Sequence, residues 1–525
     1  MGKSFKNYSN KVIKGIIIFL SSYFILCYLY VVSKRLLYPF ELEWLEGYFL
    51  VGIARILKNE SIYPPPNAEF IPFLYPPLYY WIVAGLAKIT GVNFGIARLV
   101  SILSSLLSGF IIYQFIRRET KSNFCAFFAS GLFFASYEIT GSWFDIARVD
   151  SLFVALALSG IYLLRYFSHS YHGLFFASLM LSLSFFTKQS AVFFILGCSV
   201  YLWFIQRKKC LFFTLVSLVI IAAASFLFNF LTDGWYWFHT FKVPLHHYSY
   251  RRITYDPSLK MIFGQYEPTQ VNYASIRKVI DFFKVDLFKN IPVILIFILG
   301  WILYEIRTYR RQPASLFWPL VLLSALISSI SMRSKYGGYI NALIPSVSVS
   351  LILYGIIAGR ILNKRGNESM FRIFLRFLLY IATVLQFALM AYNPVTQLST
   401  RDDYQAGRNL LQTISSFKGD VYLPFHSYYS VMAGKKMYAH KMPIEDIYVG
   451  FPQLLPQDLF NKIKQKEFSA IIYDWEIKPE TQNPLEKAIL QAYPFSKQIP
   501  YRSEKTFLPL AGAPFRPRFI FLPAR

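Results

Sequence analysis

Residues 207–231 read RKKCLFFTLVSLVIIAAASFLFNFL, and this stretch decides what kind of fold the chain can adopt. The cations Arg207, Lys208 and Lys209 precede the apolar run Leu211–Leu231. A run of about 20 apolar residues is long enough for one helix to cross the hydrocarbon core of a membrane, and neighbouring cations mark its cytoplasmic end. The stretch therefore predicts a transmembrane helix.

Similar apolar runs recur along the chain. Its 525 residues are 55% apolar and 16% charged, with a mean hydropathy of +0.40, whereas soluble proteins are about 45–50% apolar and about 25% charged. This composition excludes a soluble enzyme, a disordered chain, a coiled coil and collagen. About eleven runs have the length of a membrane span or come close to it; they are Gly15–Val32, Ile96–Ile116, Phe124–Thr140, Ser151–Tyr166, Gly173–Thr187, Ala191–Ile205, Leu211–Leu231, Pro292–Ile306, Leu316–Met332, Tyr339–Ile357 and Phe371–Tyr392.

The positively charged residues are distributed as expected for a protein with these membrane spans. The chain has 54 Lys and Arg against 28 Asp and Glu, a net charge of +26, which in a soluble protein would suggest nucleic acid as a partner. Here the cations cluster between alternate apolar runs, at Lys3, Lys6, Lys11, Lys14, Arg117, Arg118, Lys121, Arg207, Lys208, Lys209, Arg307, Arg310, Arg311, Arg360, Lys364, Arg365 and Arg372. Because short basic loops stay in the cytoplasm, we predict an N-terminus inside, a C-terminus outside and no nucleic-acid partner.

The predicted fold is an α-helical polytopic membrane protein with a small extracytoplasmic α/β domain at its C-terminus. Residues 1–392 form the transmembrane domain, with a first outer loop at 33–95 and a long outer loop at 232–290. Residues 393–525 form the α/β domain, because polar residues and short alternating runs replace the long apolar runs there. We predict strands at Asp420–Leu423, Ser469–Tyr473 and Phe519–Leu522, and an amphipathic helix at Gln457–Lys466.

Three carboxylates, Glu41, Glu43 and Glu46, lie among aromatic and aliphatic residues near the start of the first outer loop. If a helix begins near Pro39, Glu43 and Glu46 stand at i and i+3 on one face. Adjacent carboxylates in a poorly hydrated setting repel each other, which raises the pKa of at least one toward a value useful for proton transfer. The alternative is that the helix dipole alone favours acids at this position.

Charged residues also stand at the ends of later spans. Arg148 lies between Asp145 and Asp150, and this group either anchors a helix as a local ion pair or marks a functional pathway. Lys188, in the turn Phe186–Ser190, is either a snorkelling cation or a ligand for an anion, and we favour the ligand.

The turn from Met332 to Pro345 combines two cations, Arg333 and Lys335, with the pair Gly337-Gly338 and with Asn341. Such a turn suits a loop whose backbone amides approach a phosphate. A plain flexible turn is the alternative interpretation, but the turn falls on the same predicted face as the carboxylates.

No metal site is expected from the pattern of potential ligands. The adjacent side chains of His246 and His247 do not converge on a helix or strand, and the cysteines are scattered in or beside the spans. The chain has no Walker A, GxSxG, HExxH or paired CxxC motif. No cofactor is predicted, and a divalent cation is left open.

The ordered set of outer motifs resembles the GT-C superfamily of membrane glycosyltransferases, in the bacterial branch related to protein O-mannosyltransferases and lipid A aminoarabinose transferases. The resemblance covers roughly Met1–Tyr392. It rests on the acidic run from Glu41, Asn59–Tyr63, Tyr75–Leu78, Gly91 with Ala97-Arg98, Ala147–Leu152, Thr187–Ser190 and Gly338–Asn341. In one departure, many relatives have an Asp-Glu pair where Leu45 precedes Glu46 here.

The resemblance implies transfer of a sugar from a polyprenyl-phosphate donor to an extracytoplasmic lipid, glycan or protein acceptor. The phosphate leaves without a general acid, so the site needs a base for the acceptor hydroxyl and cations for the phosphate. Glu43 or Glu46 is expected to be the base, with Glu41 a weaker candidate. The residues expected to bind the donor phosphate or the sugar are Glu41, Asp145, Arg148, Asp150, Lys188, Gln189, Arg333, Lys335 and Asn341.

We therefore expect an inverting hexosyl- or pentosyltransferase of the inner (plasma) membrane, with a catalytic face directed toward the cell envelope. The rival is a polytopic transporter or lipid flippase without transferase activity, which would favour charges near the membrane midplane and inverted repeats. Neither feature is visible in the sequence. A catalytically inactive relative that binds lipid or serves in assembly is the third alternative.

Overall fold

A computed structural model describes residues 2–249, 279–308, 313–335, 338–363 and 369–524. Part of the predicted long outer loop, residues 250–278, lies outside the described residues, as do the cations Arg310, Arg311, Lys364 and Arg365 and the glycine Gly337. The described residues fold mainly into helices, with a small four-stranded sheet in the C-terminal part.

The helices as far as Leu389 are numbered here in chain order. They are α1 Gly2–Arg35, α2 Glu46–Leu57, α3 Leu78–Thr90, α4 Phe94–Thr120, α5 Asn123–Ala135, α6 Asp150–Phe167, α7 Tyr171–Thr187, α8 Val192–Ile205, α9 Arg207–Leu231, α10 Trp235–Trp237, α11 Val243–Ser249, α12 Pro292–Thr308, α13 Phe317–Arg333, α14 Ile344–Asn363 and α15 Met370–Leu389.

Within the described residues, seven helices are long and apolar enough to cross a membrane: α1, α4, α6, α9, α13, α14 and α15. An eighth span results if Val279–Phe288 and Pro292–Glu305, which bend by 109°, are counted together. Three further predicted spans overlap with shorter apolar helices, which are Asn123–Ala135, Tyr171–Thr187 and Gln189–Ile205. The prediction of a helical polytopic membrane protein is confirmed, whereas the number of eleven spans stays a prediction.

Small residues allow these helices to pack closely. A Cβ on Gly131 of α5 would meet Cα of Ser21 in α1 at 2.6 Å, and one on Gly359 of α14 would meet Thr120 of α4 at 2.4 Å. Helix α14 lies innermost, since the apolar stretch along it is 100% buried. Lipid is as apolar as the helix surfaces, so the hydrophobic effect does not drive membrane helices together. Close van der Waals packing of this kind holds them together instead.

The two ends of the helix bundle differ in their polar residues: one end is basic, and the other carries the predicted site residues. At one end lie the basic last turns of α4, α6 and α14, with Arg117, Arg118, Arg165 and Arg360, and Arg165 pairs there with Glu119 of α4 at 2.7 Å. At the opposite ends of α6 and α14, Asn341 donates a hydrogen bond of 3.0 Å to Asp150. The antiparallel order of the helices therefore separates the basic end of the bundle from the end that carries the candidate site. Which end faces the cytoplasm stays a prediction.

The C-terminal part contains the predicted sheet. Its strands are β1 Val421–Tyr422, β2 Ala470–Tyr473, β3 Phe495–Gln498 and β4 Phe519–Leu522, in the order β1-β2-β4-β3. Strand β1 pairs parallel with β2, and the other pairs are antiparallel. The helices around the sheet are α16 Arg401–Ser416, α17 Ser427–Met432, α18 Lys441–Gly450, α19 Gln457–Lys464 and α20 Pro484–Ala492.

Three of these strands and helix α19 were predicted from the sequence and are confirmed. Strand β3 was not predicted, because all its residues are exposed at the sheet edge and so have no apolar pattern. The C-terminal part and the first outer loop share one buried apolar cluster. In it, Trp44 and Tyr48 of the loop pack with Phe425, Tyr473 and Phe515 of the C-terminal part. The C-terminal part thus rests directly on the loop that carries the three glutamates, and the domain boundary near Asn393 stays a prediction.

The close contact between α1 and α5 yields a test of the packing. Gly131→Ala should lower the free energy of unfolding by about 1–3 kcal/mol, because its Cβ would collide with backbone of α1. Thermal unfolding of the purified protein in detergent measures this. The matched control is Gly300→Ala in α12, where a Cβ meets nothing within 4 Å, so that stability is kept or slightly raised. Equal effects of both substitutions would contradict the packing.

Candidate active site

A cavity of about 360 Å³ opens where the first loop, the ends of the membrane helices and the C-terminal part meet. Its wall is mainly apolar and includes Trp44, Phe73, Tyr75, Trp143 and Tyr339. The predicted site residues that line it are Glu43, Arg148, Lys188, Gln189, Lys335 and Asn341. Sequence positions hundreds of residues apart therefore come together in one concave site.

Glu43 is almost completely buried at the cavity wall. Its Oε2 accepts hydrogen bonds from Arg148 Nη1 at 2.8 Å and from the backbone N–H of Leu45 at 3.2 Å. Among the described residues, its Oε1 has no hydrogen-bond partner. Burial raises the pKa of Glu43 to about 7, and the charge of Arg148 opposes this only in part. Such a carboxylate can accept a proton from a hydroxyl group bound in the cavity.

Arg148 is held beside Glu43 by aromatic side chains. Its Nη2 lies 3.2 Å from the hydroxyl of Tyr75, and its guanidinium stands over the rings of Phe49 at 5.1 Å and Trp143 at 5.3 Å. Nε of Arg148 has no hydrogen-bond partner among the described residues. A cation fixed in this way can donate a further hydrogen bond to an anion in the cavity.

Asp150 lies behind the cavity wall and orients three of the lining residues. Its Oδ1 accepts hydrogen bonds from Lys188 Nζ at 2.5 Å and from Asn341 Nδ2 at 3.0 Å. Its Oδ2 accepts one from the indole N–H of Trp143 at 2.9 Å. Asp150 therefore fixes the side chains around it, rather than contributing to the cavity surface itself.

Lys335 follows helix α13 and adds a second lysine to the cavity. Burial and the nearby charge of Lys188 together lower the pKa of Lys335 to about 8, although Asp446 opposes the change. A phosphate between the two lysines would relieve their repulsion and favour the charged form of both. The cavity is therefore suited to an anion.

Gln189 and Arg333 hold loops around the cavity. Gln189 Nε2 donates to the carbonyl oxygens of Leu74 at 2.7 Å and Thr240 at 2.9 Å. Arg333 Nε donates to Asp286 Oδ2 at 2.7 Å, and its Nη1 donates to the carbonyl of Gly338 at 2.6 Å. Arg333 does not line the cavity, so its contacts stabilise the turn that carries Lys335.

Helix α2 begins at Glu46 and not near Pro39. The carboxylate of Glu46 accepts a hydrogen bond of 2.7 Å from the backbone N–H of Leu42, which closes the turn ahead of the helix. The expectation that Glu43 and Glu46 share one helical face is therefore wrong, because Glu43 precedes the helix and its side chain meets a different set of neighbours.

Glu46 forms a buried ion pair with Arg98, and both side chains are 0% exposed. Arg98 donates to both oxygens of Glu46, at 3.0 and 2.7 Å, and also to the carbonyl oxygens of Arg35, Tyr38 and Phe40. Although burial raises the pKa of Glu46, the charge and hydrogen bonds of Arg98, together with the backbone N–H groups of Ala147 and Leu42, outweigh burial and the net change is a lowering. Glu46 therefore remains an ionised structural anchor and does not reach the cavity.

Glu41 and Asp145 also lie outside the cavity lining. A carboxylate oxygen of Glu41 is hydrogen-bonded to Nδ1 of His426 from the C-terminal part. Asp145 accepts a hydrogen bond of 2.8 Å from the hydroxyl of Tyr137 and lies 3.0 Å from Nε of Arg35. The structure thus places both predicted ligands in buried pairs that join elements of the fold.

The cavity also has lining residues that sequence reasoning missed. Met442, Asp446 and Gly512 come from the C-terminal part, and no spacing motif links them to Glu43. The one sequence signal is the run Ala511-Gly512-Ala513. Gly512 has φ of 77° and approaches Glu43 so closely that a Cβ there would meet Cγ of Glu43 at 2.9 Å.

Among the described residues, no three His, Cys, Asp or Glu side chains are grouped so that they could hold a metal ion. The cations that line the cavity within the described ranges are Arg148, Lys188 and Lys335.

Comparisons with known proteins agree with this architecture. Residues 75–231 match the family model described as dolichyl-phosphate-mannose-protein mannosyltransferase. An uncharacterized protein of Aquifex aeolicus (strain VF5) is 27% identical over 347 residues, which are 65% of this chain and 64% of that protein. The match therefore spans less than two thirds of the relative's length.

Solved structures extend the comparison to almost the whole chain. ArnT from Cupriavidus metallidurans, crystallised with undecaprenyl phosphate, superimposes with a TM-score of 0.53 at 13% identity and covers 97% of this chain and 98% of that one. The Archaeoglobus fulgidus oligosaccharyltransferase, tethered to an acceptor peptide, has a TM-score of 0.52 at 11% identity and covers 90% of this chain and 69% of that one. At such low identity these matches establish a shared fold.

The Glu46–Arg98 pair yields a test of what holds the site together. Arg98→Met should lower the free energy of unfolding by about 3–5 kcal/mol, because it leaves the Glu46 carboxylate buried without its cation. Chemical or thermal unfolding of the purified protein measures this. As a control, Arg502→Met removes an ion pair whose side chains are 78% and 44% exposed, and should change stability by less than about 1 kcal/mol. Similar losses in both variants would refute the anchoring role of Glu46.

Proposed function

We propose that this chain, which belongs to the GT-C superfamily by its fold, is a glycosyltransferase that moves a sugar from a polyprenyl-phosphate donor to an acceptor hydroxyl. The observation that carries the proposal is Glu43, whose Oε1 has no hydrogen-bond partner among the described residues and which lines a cavity together with Arg148, Lys188 and Lys335. A base and a group of cations around one cavity are the two things that this reaction needs.

The donor phosphate would bind at the cationic side of the cavity. Lys188 is oriented by Asp150, Lys335 carries a destabilised charge, and Arg148 keeps an unused N–H. The undecaprenyl phosphate of the ArnT structure and the family model for dolichyl-phosphate-mannose transferases support a donor of this class. The aromatic rings of Trp143 and Tyr339, 5.2 Å apart, would offer an apolar face to the sugar ring.

In the proposed reaction, Oε1 of Glu43 takes the proton of the acceptor hydroxyl while the hydroxyl oxygen attacks the anomeric carbon. The bond between that carbon and the phosphate oxygen breaks, and its electron pair leaves with the polyprenyl phosphate. Arg148, Lys188 and Lys335 would stabilise the negative charge of the departing phosphate. Attack from the face opposite the phosphate inverts the anomeric centre, and protonated Glu43 then returns its proton to water.

We further propose that the cavity lies on the extracytoplasmic side of the inner (plasma) membrane, since Arg117, Arg118, Arg165 and Arg360 lie in the last turns of α4, α6 and α14, at the other end of these helices. In this arrangement residues 1–392 form the transmembrane catalytic domain and residues 393–525 cover it from the envelope side. The acceptor would be a lipid, glycan or protein of the cell envelope.

A direct assay tests the proposal. Purified full-length protein is incubated with radiolabelled polyprenyl-phosphate sugars, both hexoses and pentoses, and with lipid, glycan and peptide acceptors. Label in an acceptor, with release of polyprenyl phosphate, is the expected result. Movement of the labelled lipid across a vesicle membrane without transfer would overturn the proposal and favour a transporter or flippase.

Substitution of the proposed base gives a sharper expectation. Glu43→Gln should reduce turnover by about 10²–10⁴-fold, because the acceptor proton loses its base. In the wild type, activity should rise with pH through about 7 as Glu43 ionises, and this rise should vanish in the variant. Initial rates between pH 5.5 and 8.5 measure both effects.

The control for this substitution is Glu60→Gln, which removes an exposed acid of the same loop and should leave rates and pH profile unchanged. Wild-type turnover in a folded Glu43→Gln variant would exclude Glu43 as the base.

Donor binding is the second quantity to test. Lys335→Ala should weaken binding of undecaprenyl phosphate by about ten- to a hundredfold, because a charge-assisted hydrogen bond is lost. In the wild type, binding should also weaken as the pH rises through about 8, where the free protein's Lys335 loses its proton. Calorimetric titration measures both. Lys58→Ala, at an exposed position of the first loop, is the control, and unchanged affinity in Lys335→Ala would remove Lys335 from the phosphate site.

A further inference from the structure

A buried histidine links the first loop to the C-terminal sheet. Nδ1 of His426 is hydrogen-bonded to Glu41, and its Nε2 lies 3.0 Å from Oδ2 of Asp474, which follows strand β2. The His426 side chain is 3% exposed and both carboxylates are 2% exposed. Each ring nitrogen faces a carboxylate, so both nitrogens can donate when the imidazole carries a proton on each of them.

The charge state of this bridge follows from its partners. Burial alone would lower the pKa of His426, but the charges of Asp474 and Glu41 raise it to about 10. The ring of Tyr429 stacks on the imidazole at 5.5 Å. The bridge is therefore an imidazolium between two carboxylates, shielded from water.

The bridge holds one end of the segment Glu41–Glu46, and the other end is already fixed. The pair between Glu46 and Arg98 anchors the segment to α4. On the side of the C-terminal part, the backbone N–H of Glu41 donates to the Tyr429 hydroxyl at 3.2 Å, and the N–H of Ala511 donates to the carbonyl of Leu42 at 2.9 Å. Glu43 lies between the two fixed ends.

We infer that His426 is a positioning residue for the proposed base: by bridging Glu41 and Asp474 it clamps the segment 41–46 so that Oε1 of Glu43 faces the cavity. This inference rests on the proposed function of Glu43. The cations Arg148, Lys188 and Lys335 all lie outside the segment 41–46, and Arg148 keeps its contacts with Tyr75, Phe49 and Trp143, so loss of the bridge should impair the chemical step and leave donor binding intact. The C-terminal part thereby contributes to catalysis without supplying a group that touches the reacting atoms.

Hydrogen–deuterium exchange of the full chain tests the clamp independently of any activity. In His426→Ala, the backbone amides of residues 41–46 should exchange about tenfold faster or more, because the segment opens locally. Amides of residues 147–150 and 188–191 should keep their wild-type rates. Glu41→Ala removes the carboxylate at the other side of the bridge, leaves the His426–Asp474 contact in place and should give the same local pattern. Asp402→Asn, which removes an exposed ion pair of the same region, is the control.

Measurements of kcat and KM then distinguish a positioning role of His426 from a merely structural one. His426→Ala should lower kcat by about ten- to a hundredfold while the KM for the donor changes little, because a misplaced base slows only the chemical step. His426→Gln, which can still donate one hydrogen bond, should recover part of the rate. The double variant Glu41→Ala/His426→Ala should be no slower than the worse single variant, because both substitutions break the same bridge.

Unchanged exchange of residues 41–46 in both single variants, or strictly multiplicative losses in the double variant, would overturn the inference. A wild-type protein that transfers no sugar would overturn the proposed function instead. In that case the exchange measurement still decides whether His426 clamps the segment.

Discussion

The ion pair between Glu46 and Arg98 is the contact on which the candidate site depends. Removing two charges from water is costly, and the cost is offset only where hydrogen bonds satisfy both groups. Arg98 meets this requirement with carbonyl oxygens from the end of α1 and from the first loop, and Glu46 also binds the backbone N–H of Ala147 at 2.6 Å. The pair therefore joins three stretches of chain, and the residue after Ala147 is Arg148, the partner of Glu43.

Three glutamates within six positions acquire three different roles through their surroundings. Glu46 has hydrogen-bond donors on both oxygens and a lowered pKa, which makes it an anchor. Glu41 and Glu43 both have a pKa raised to about 7 by burial. Glu41 is turned toward His426 and packs against Gly47, whereas Glu43 lines the cavity. Glu43, the proposed base, and Glu41 therefore differ in their access to the cavity and not in their pKa.

The sequence could predict what depends on local pattern. Apolar runs gave the helices, alternating runs gave strands β1, β2 and β4, and charges at span ends indicated six residues that line the cavity. It could not predict the start of α2, because the turn closed by Glu46 and Leu42 depends on Arg98, 52 residues away. For the same reason Arg333 and Asp145 looked like ligands, since their partners Asp286 and Arg35 are distant in the chain. The resemblance to GT-C enzymes supplied the order of motifs, and the solved structures share the fold of this chain.

Transfer to an acceptor requires that water does not reach the proposed base first, because Glu43 would activate water as readily as a hydroxyl group. The residues that cover Glu43 come from the far end of the chain: Gly512 packs against its side chain, and the carbonyl of Gly512 accepts a hydrogen bond of 3.3 Å from Tyr339. A larger side chain at position 512 could not fit there. The C-terminal part is therefore one wall of the site, and the predicted boundary near Asn393 would divide the chain without dividing the cavity.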